Sequence, residues 1–410
     1  MKLFTKDFTL MVIGQIISLF GNAVLRLALP LYLLRETNSS AVYGAVTACS
    51  FIPMVFFSLF GGVIADRVNK RNIMVMLDFC TAIIIAIFSF MLEKLSLIPL
   101  MIVTLMLLYG ISGAYQPSVQ ASIPLLVDEK LLIKANAIIN MVGTLSGLLG
   151  PIIGGVLFGA FGIIPILFIS IICFLVSAVI EIFIKIPHQQ KSSEQKGILK
   201  TVGNDLKESY GFVRNDKPVF LSVLWLLALF NLVMSAALLV GIPVVIVQIL
   251  KMSDTALGIA QGMMGLGGIS GGIIAGAFGK KIKLKDSYIM LIVCSFTTFL
   301  MGISLFSGIS DIISFAVIAT MSFSAMCSST MFSVAMLTAV QQQTPPHLLG
   351  KIMALIMAVS SCSQPIGQAI YGVLFDLFSN QVHIVMIVSA VLAFMIAVFS
   401  RKIFVKLQYD

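Results

Sequence analysis

Long apolar runs alternate with short polar segments along the whole chain. Each run is close to the roughly 20 apolar residues that a helix needs to cross the hydrocarbon core of a bilayer. The pattern therefore predicts twelve membrane-spanning helices. The first six are predicted at residues 8–34, 42–64, 73–92, 97–120, 135–158 and 164–184. The second six are predicted at residues 219–250, 256–278, 287–306, 312–340, 352–375 and 384–400.

One boundary in this series is set by glycine and proline rather than by charge. The run from Ala135 to Ile180 carries no charge and is too long for a single crossing. Gly159, Gly162 and Pro165 lie inside it, and such residues interrupt helices. We therefore expect one helix to end and the next to begin near these three residues.

The composition supports a membrane protein and excludes several other classes. Of the 410 residues, 59% are hydrophobic and only 10% are charged, whereas soluble domains carry about 25% charged residues. The predicted spans use most of the length, which leaves no room for a large soluble catalytic domain. The phosphate-binding pattern Gly-x-x-x-x-Gly-Lys-Ser/Thr does not occur, so the chain does not encode an ATP-driven pump. Its three histidines and six cysteines are scattered, so we expect no metal site, no cofactor and no enzymatic activity.

The basic residues indicate how the chain is oriented. With twelve crossings, 22 of the 26 Lys and Arg residues fall on the same side as both termini. The opposite loops contain only Arg35, Lys94 and Lys251. Because cytoplasmic loops carry the excess of Lys and Arg, both termini are predicted to be cytoplasmic, in a multi-pass protein of the plasma membrane. This distribution also explains the net charge of +9 without a nucleic-acid partner.

The two halves of the chain resemble each other. Residues 62–71 match 272–281, and residues 128–134 match 345–351, at corresponding places in the two sets of spans. Such a duplication predicts two bundles with substrate bound near the midplane between them. The predicted domains are an N-terminal six-helix bundle (1–184), a polar cytoplasmic linker (185–218) and a C-terminal six-helix bundle (219–410).

The loop after the second span carries a distinctive set of charges. Gly62 is followed by Asp66, Arg67, Lys70 and Arg71, and this spacing resembles the loop signature of the major facilitator superfamily of transporters. The resemblance extends over essentially the whole chain. It implies an all-α membrane fold of twelve helices in two pseudo-symmetric bundles, which transports by alternating access. Asp66 can meet the adjacent cations or a helix N-terminus, so we predict a clasp that holds one conformation; an ordinary positive-inside loop would explain only Lys70 and Arg71.

Two further segments resemble exporter branches of this superfamily. The fifth span contains a glycine–proline motif similar to that of antiporter-type exporters, and proline and glycine favour a helix bend. The residues of this predicted bend are Gly150, Pro151, Gly154 and Gly155. Residues 344–351 are similar to a loop of the macrolide-efflux and related drug-exporter branch. Three features depart from the family pattern. Asn69 replaces a loop glycine, the C-terminal copy of the loop signature has Gly276 and Ala277 in place of Asp and Arg, and Tyr109 stands where many proton-coupled exporters have an arginine.

Polar residues inside the spans are costly against lipid, and on four spans they recur three or four residues apart, on one helix face. The resemblance implies that these four helices line the central cavity. The candidate cavity residues are Gln15, Ser18, Asn22, Arg26, Tyr109, Ser112, Gln116, Asn231, Ser235, Ser329 and Ser333. Alternatively, the serines only hydrogen-bond their own helix backbone. Small residues four apart, which favour tight packing against a neighbouring helix, occur at Gly268, Gly272 and Gly276.

Three ionisable residues lie within or at the ends of the spans. Arg26 has no evident acidic partner in the other spans, so it is expected to bind an anionic substrate group or to extend outward to the interface. Asp78 could titrate within the third span or complete the clasp with the loop cations, and we favour the clasp. Glu181 stands four residues before Lys185, and we expect the two to form a solvated pair.

Together these features predict a secondary-active exporter of lipophilic or amphiphilic small molecules, driven by the proton gradient and working as a monomer in the lipid bilayer. Uptake or exchange of an anionic metabolite is a second hypothesis, and Arg26 favours it. A non-transporting membrane receptor or scaffold is a hypothesis from another class. Polar stripes on four helices argue against a scaffold, which would gain nothing from them.

The distribution of basic residues leads to a test of orientation. In a cysteine-free background, Asn380→Cys should react with an impermeant maleimide in intact cells, because its loop is predicted to face outward. Ser193→Cys, in the predicted linker, should react only after the cells are permeabilised. Labelling of Ser193→Cys in intact cells would contradict the predicted orientation.

Overall fold

The structure is a computed structural model, and it describes residues 3–128, 131–186, 211–215, 217–278, 284–345 and 348–409. The described residues are almost entirely helical and include no β-strand. Eleven helices among them are long and apolar enough to cross a membrane, and one further apolar helix, Tyr288–Ile303, is shorter. The predicted all-α fold of a multi-pass membrane protein is therefore confirmed.

The helices follow the order of the predicted spans. Those of the first half are α1 Lys6–Thr37, α2 Ser40–Arg67, α3 Lys70–Met91, α4 Leu97–Leu126, α5 Leu132–Phe161 and α6 Ile163–Ile182. Those of the second half are α7 Val219–Ile249, α8 Asp254–Phe278, α9 Tyr288–Ile303, α10 Asp311–Gln343, α11 Leu349–Leu377 and α12 Val382–Tyr409. The predicted linker, 185–218, lies largely outside the described residues.

A single glycine separates α5 from α6. Gly162 has φ +72° and ψ −165°, a backbone conformation that residues with a Cβ rarely adopt. Its N–H group donates to the carbonyl oxygen of Phe158 at 2.8 Å and so closes the last turn of α5. The helix break predicted in the long uncharged run is therefore confirmed.

The chain forms two compact units. The first unit contains Met1–Asn38 and Val46–Ile198, and the second contains Ser39–Ala45 and Leu199–Asp410. The first N–H groups of a helix lack partners within the helix, and the start of α2, at Ser40, belongs to the second unit. There the Asp376 carboxylate accepts hydrogen bonds from the Ser39 hydroxyl and the Ser40 amide, each at 2.7 Å.

In the first unit, α1 packs against α4, α5 and α6, and α3 packs against α4 and α6. Lipid is as apolar as the side chains, so membrane helices are held together by close packing rather than by the hydrophobic effect. On α1, a Cβ at Gly14 would lie 3.2 Å from Cγ of Glu181, and one at Gly21 would lie 3.2 Å from Cβ of Cys173. These two glycines therefore allow α1 and α6 to approach closely.

The residues of the predicted helix bend lie where α5 meets α1. A Cβ at Gly150 would collide with Ala23, and one at Gly154 would lie 3.2 Å from Cδ2 of Leu27. Pro151 lies inside α5, which is continuous. Gly150 and Gly154 thus allow α5 to pack closely against α1, and the bend itself stays a prediction.

In the second unit, two glycines bring α8 into contact with the backbone of α10. A Cβ at Gly267 would collide with the carbonyl oxygen of Phe323, and one at Gly271 would collide with that of Cys327. These residues are four apart, so they lie on one face of α8. The contact therefore leaves no space for a side chain on this face of the helix.

The sequence predicted a packing face one residue away, and this prediction was wrong. A Cβ at Gly272 or Gly276 would meet nothing within 4 Å, and one at Gly268 would meet only a single side-chain atom, at 3.7 Å. Glycine pairs occur twice in this part of α8, so two overlapping faces have the same four-residue spacing. Only the position of α10 decides which face is used.

The neighbouring glycines Gly271 and Gly272 form a matched pair for a stability test. Both Gly→Ala changes gain about 1 kcal/mol of helix propensity, but only Gly271→Ala also drives a methyl group into the backbone of α10. Overpacking costs about 1–3 kcal/mol, so Gly271→Ala should lower the thermal unfolding midpoint in detergent and Gly272→Ala should not. Equal midpoints for the two variants would contradict the described contact between α8 and α10.

Candidate functional site

A hydrogen-bonded network of polar side chains lies in the interior of the first unit. Nε2 of Gln15 on α1 donates to the Tyr115 hydroxyl on α4, and that hydroxyl donates to Oε1 of Glu181 on α6, both at 2.7 Å. The side chains of Gln15 and Glu181 are fully buried, and Tyr115 is 5% exposed. One hydroxyl therefore connects three helices.

A second part of the network joins α1 to α3. The Ser18 hydroxyl donates to Oδ1 of Asp78 at 3.2 Å, and Asp78 is only 2% exposed. Ser18 lies three residues after Gln15, on the same face of α1. The Ser177 hydroxyl on α6 donates to the carbonyl oxygen of Gly14 at 3.1 Å. The network, which we call the buried polar network, is thus built by α1, α3, α4 and α6.

The buried polar network contains more hydrogen-bond acceptors than donors. Among the described residues, Oε1 of Gln15, Oδ2 of Asp78 and Oε2 of Glu181 are buried without a hydrogen-bond partner. A buried polar atom left unpaired costs about 1–3 kcal/mol. All three atoms are hydrogen-bond acceptors, so a proton, the donor group of a water molecule, or a cation could complete the network.

A cavity of about 260 Å³ lies beside the buried polar network in the first unit. Part of its wall is apolar, from Leu19, Met54, Ile111 and Phe174. Small-molecule sites combine such apolar walls with a few polar groups that orient the ligand. The polar and charged residues of the wall are Ser18, Asn22, Arg26, Asp78, Ser112, Tyr115, Gln116 and Ser146.

Arg26 is held against α1 and α4 by neutral partners. Its Nε donates to Oδ1 of Asn22 at 2.9 Å, and Nδ2 of Asn22 donates to the Ser112 hydroxyl at 3.0 Å. The Arg26 guanidinium also lies 4.5 Å from the centre of the Tyr109 ring, within cation–π range. Arg26 remains exposed on the cavity wall, so its charge is available to a ligand.

The structure brings together most of the candidate cavity residues from α1 and α4. Ser18, Asn22, Arg26, Ser112 and Gln116 line the same cavity, and Tyr109 lines a smaller one beside it together with Asn22 and Arg26. Gln15 lines neither of these two cavities and belongs to the buried polar network instead. Substrate binding by these residues stays a prediction.

The candidates from the second half line neither cavity. Asn231 and Ser235 delimit a five-residue π-helical segment of α7, a distortion that is frequent at functional sites. Nδ2 of Asn231 donates to the carbonyl oxygen of Leu227 at 2.9 Å, and the Ser235 hydroxyl donates to Oδ1 of Asn231 at 3.1 Å. Ser329 and Ser333 lie half-buried on α10. The role of these four residues in substrate binding also stays a prediction.

The loop between α2 and α3 carries the residues of the predicted clasp, and the structure describes the side chains of some of them. The Asn69 side chain accepts a hydrogen bond from the Arg71 amide at 3.0 Å and caps α3, which explains why a polar residue suits this position. The Arg71 guanidinium contacts Oδ1 of Asn72 and, at 3.4 Å, the carbonyl oxygen of Ile182. Lys70 is half-buried. The side chains of Gly62, Asp66 and Arg67 lie outside the described residues, so the clasp stays a prediction.

The structure corrects two expectations about carboxyl groups. Asp78 does not reach Arg71, because seven residues span about 10 Å along a helix, and its carboxyl group contacts Ser18 instead. The side chain of Arg67, the other cation considered for this contact, lies outside the described residues. Glu181 does not form a solvated pair with Lys185: it is fully buried, whereas Lys185 is exposed. α6 ends at Ile182, so Lys185 no longer follows the helix face of Glu181.

Sequence reasoning missed Tyr115, which connects Gln15 to Glu181 in the buried polar network. It lies between two candidate cavity residues of α4, Ser112 and Gln116, but does not share their spacing of four residues. Two residues earlier, Gly113 allows α2 to approach α4, since a Cβ there would collide with the carbonyl oxygen of Met54. Tyr115 is buried where α4 meets α1 and α6, and the periodicity of one helix does not indicate which helices surround it.

Comparison with known proteins identifies relatives of the chain as a whole. The model of the family described as Major Facilitator Superfamily matches residues 11–368. Macrolide efflux protein A of Streptococcus pyogenes is 24% identical over 375 residues, which cover 88% of each chain. The Staphyloferrin A transporter of Staphylococcus aureus is 21% identical over 396 residues, which cover 95% of each chain. The crystal structure of nucleoside transporter NupG has the same fold, with a TM-score of 0.75 at 13% identity over 98% of this chain and 100% of that one.

Two tyrosines of α4 allow the buried polar network to be tested for its effect on stability. Tyr115→Phe removes the hydroxyl that bridges Gln15 and Glu181 and leaves two buried groups unpaired, so it should cost about 1–2 kcal/mol of unfolding free energy. Tyr109→Phe is the control, because the aromatic ring that faces Arg26 is kept. The thermal unfolding midpoint in detergent should fall for Tyr115→Phe and stay unchanged for Tyr109→Phe. If both midpoints match that of the wild type, the network contributes nothing to stability.

Proposed function

Because the chain belongs to the Major Facilitator Superfamily of membrane transporters, we propose that it exports lipophilic or amphiphilic small molecules by alternating access, driven by the proton gradient. Membership of a transporter family disfavours the receptor or scaffold hypothesis. The proposed setting is a bacterial plasma membrane, with both termini in the cytoplasm and the protein working as a monomer. No nucleic-acid partner is included in this proposal.

The observation that carries the proposal is the cavity of about 260 Å³ in the first unit. Leu19, Met54, Ile111 and Phe174 give it an apolar wall, while amide, hydroxyl and charged groups of α1, α3, α4 and α5 line the rest of it. A lipophilic molecule with a few polar groups suits such a lining, because the apolar wall desolvates it and the polar groups orient it. The similarity to a macrolide efflux protein over most of both chains supports the same class of cargo and the outward direction.

A second candidate function is uptake or exchange of an anionic metabolite. The exposed Arg26 in the cavity wall favours it, because a guanidinium can bind carboxylate or phosphate through two parallel hydrogen bonds. Asp78 on the same wall would repel such a ligand in its charged form, which makes this candidate the weaker of the two.

Inverted membrane vesicles provide the direct test of export. Vesicles that contain the protein should accumulate a labelled macrolide and lipophilic dyes when a proton gradient is imposed, and a protonophore should abolish this accumulation. Vesicles without the protein are the control. Accumulation that survives the protonophore would contradict proton coupling, and exchange of organic anions without transport of any lipophilic probe would favour the second candidate.

Arg26 allows the role of the cavity in recognition to be tested. Arg26→Ala should weaken binding of the labelled macrolide about tenfold or more, since a hydrogen bond to a charged group contributes about 1.5–3 kcal/mol. Arg26→Lys should have an intermediate effect, because the charge is kept but the planar group is lost. Arg401→Ala is the matched control: Arg401 also lies over a tyrosine ring, that of Tyr288, but lines neither cavity. Unchanged binding by Arg26→Ala would exclude Arg26 from recognition.

A further inference from the structure

The buried polar network lacks hydrogen-bond donors, not acceptors. The unpaired oxygens of Gln15, Asp78 and Glu181 all need a donor, and the partners already present are uncharged hydroxyl and amide groups. A proton on each carboxyl group would turn an unpaired acceptor into a donor. The amide of Gln15 and the carboxyl of Glu181 both contact the Tyr115 hydroxyl, so a proton on Glu181 would add a donor beside the unpaired Gln15 oxygen.

The electrostatic surroundings also favour proton binding. A carboxylate inside a membrane protein is costly unless it is paired or neutralised by a proton. Among the titratable or charged groups of the packed helices, Tyr115 of α4 contacts Glu181, and Arg26 of α1 lies on the cavity wall that Asp78 also lines. Arg26 lies on the cavity wall and is bonded to Asn22 and the Tyr109 ring. From α5, the cavity wall receives only glycine and serine.

The two carboxyl groups differ in their access to the cavity. Asp78 lines the cavity together with Ser18 and Tyr115, so its carboxyl group can exchange protons with water there. Glu181 does not line this cavity and is fully buried, and Gly14 makes room for its carboxyl group against α1. The Asp78 carboxyl group therefore borders the cavity, while that of Glu181 is shielded from it.

We propose that Asp78 and Glu181 form the proton-binding site of this transporter, with Asp78 exchanging protons with the substrate cavity and Glu181 retaining a proton inside the buried polar network. Gln15, Ser18 and Tyr115 position the two carboxyl groups. In each cycle a proton from water adds to a carboxylate oxygen, and the same proton later returns to water on the other side of the membrane. No other bond is made or broken.

The site also explains how protons and substrate would be coupled. Asp78 lies on the wall of the cavity where the proposed substrate binds, so substrate and proton would compete for its carboxyl group. Binding of substrate would release the proton, and return of the proton would displace the substrate. This inference rests on the proposed export function, but proton binding can be measured without any substrate.

The first experiment is an infrared pH titration of the purified protein in detergent, without substrate. Wild-type protein should show the carbonyl stretch of protonated carboxyl groups, and this signal should fall as the pH rises. Asp78→Asn and Glu181→Gln should each remove part of this signal, and Glu93→Gln, which changes an exposed carboxylate in the loop after α3, should not. The amides keep the size of each side chain and supply a donor, so these variants are expected to fold.

The second experiment separates proton coupling from substrate binding in reconstituted vesicles with a labelled macrolide or a lipophilic dye. Asp78→Asn and Glu181→Gln should lose accumulation driven by a pH gradient, but should keep exchange of the probe at equal pH. Asp78→Glu, which restores a carboxyl group, should recover accumulation with a shifted pH profile. A purely structural role would instead lower the amount of folded protein and affect exchange and accumulation equally.

Several outcomes would overturn the inference. Full accumulation by both amide variants would exclude the two carboxyl groups as proton carriers, and so would an infrared signal unchanged in both. Loss of the signal on addition of sodium ions at constant pH would assign the site to a metal cation instead. If wild-type protein binds protons in the titration but moves no probe, the proposed function fails while the proton-binding site stands.

Discussion

The hydrocarbon core of a membrane offers no hydrogen bonds, and the rest of this structure depends on that constraint. Each backbone group must be satisfied within its own helix, so the described spans are helical throughout. Each polar side chain must find a partner inside the protein. In the first unit this requirement brings Gln15, Ser18, Asp78, Tyr115 and Glu181 together on the inner faces of four helices, with partners between 2.7 and 3.2 Å away.

Close helix packing determines which polar groups can meet. Gly14 brings Glu181 against α1, and Gly150 brings α5 against the same helix. The first contact includes one hydrogen bond, from the Ser177 hydroxyl to the carbonyl oxygen of Gly14, and together the two contacts fix the spacing between helices. In a membrane, such contacts between small residues replace the hydrophobic effect as the source of helix association. The position of the Glu181 carboxyl group is therefore a consequence of a missing side chain on α1.

The cavity and the buried polar network share one wall, and this arrangement gives the site its chemistry. Arg26 lies on the cavity side and is bonded to neutral groups of α1 and α4, while Glu181 lies on the buried side. Asp78 lies at the boundary, almost fully buried and yet part of the cavity wall. A carboxyl group in this position can respond to a ligand in the cavity and to protonation of its neighbours, because both change the cost of its charge.

Sequence by itself determined the number and order of the helices, the break at Gly162 and the family, because apolar runs of membrane-spanning length are a one-dimensional property. Helical spacing also placed Asn22, Arg26, Ser112 and Gln116 on the faces that line the cavity. Spacing did not show that Glu181 is buried, that Tyr115 joins α1 to α6, or that Gly271 rather than Gly272 touches α10. Those facts depend on which face of each helix meets which neighbour, and close packing in three dimensions decides that at the level of single atoms.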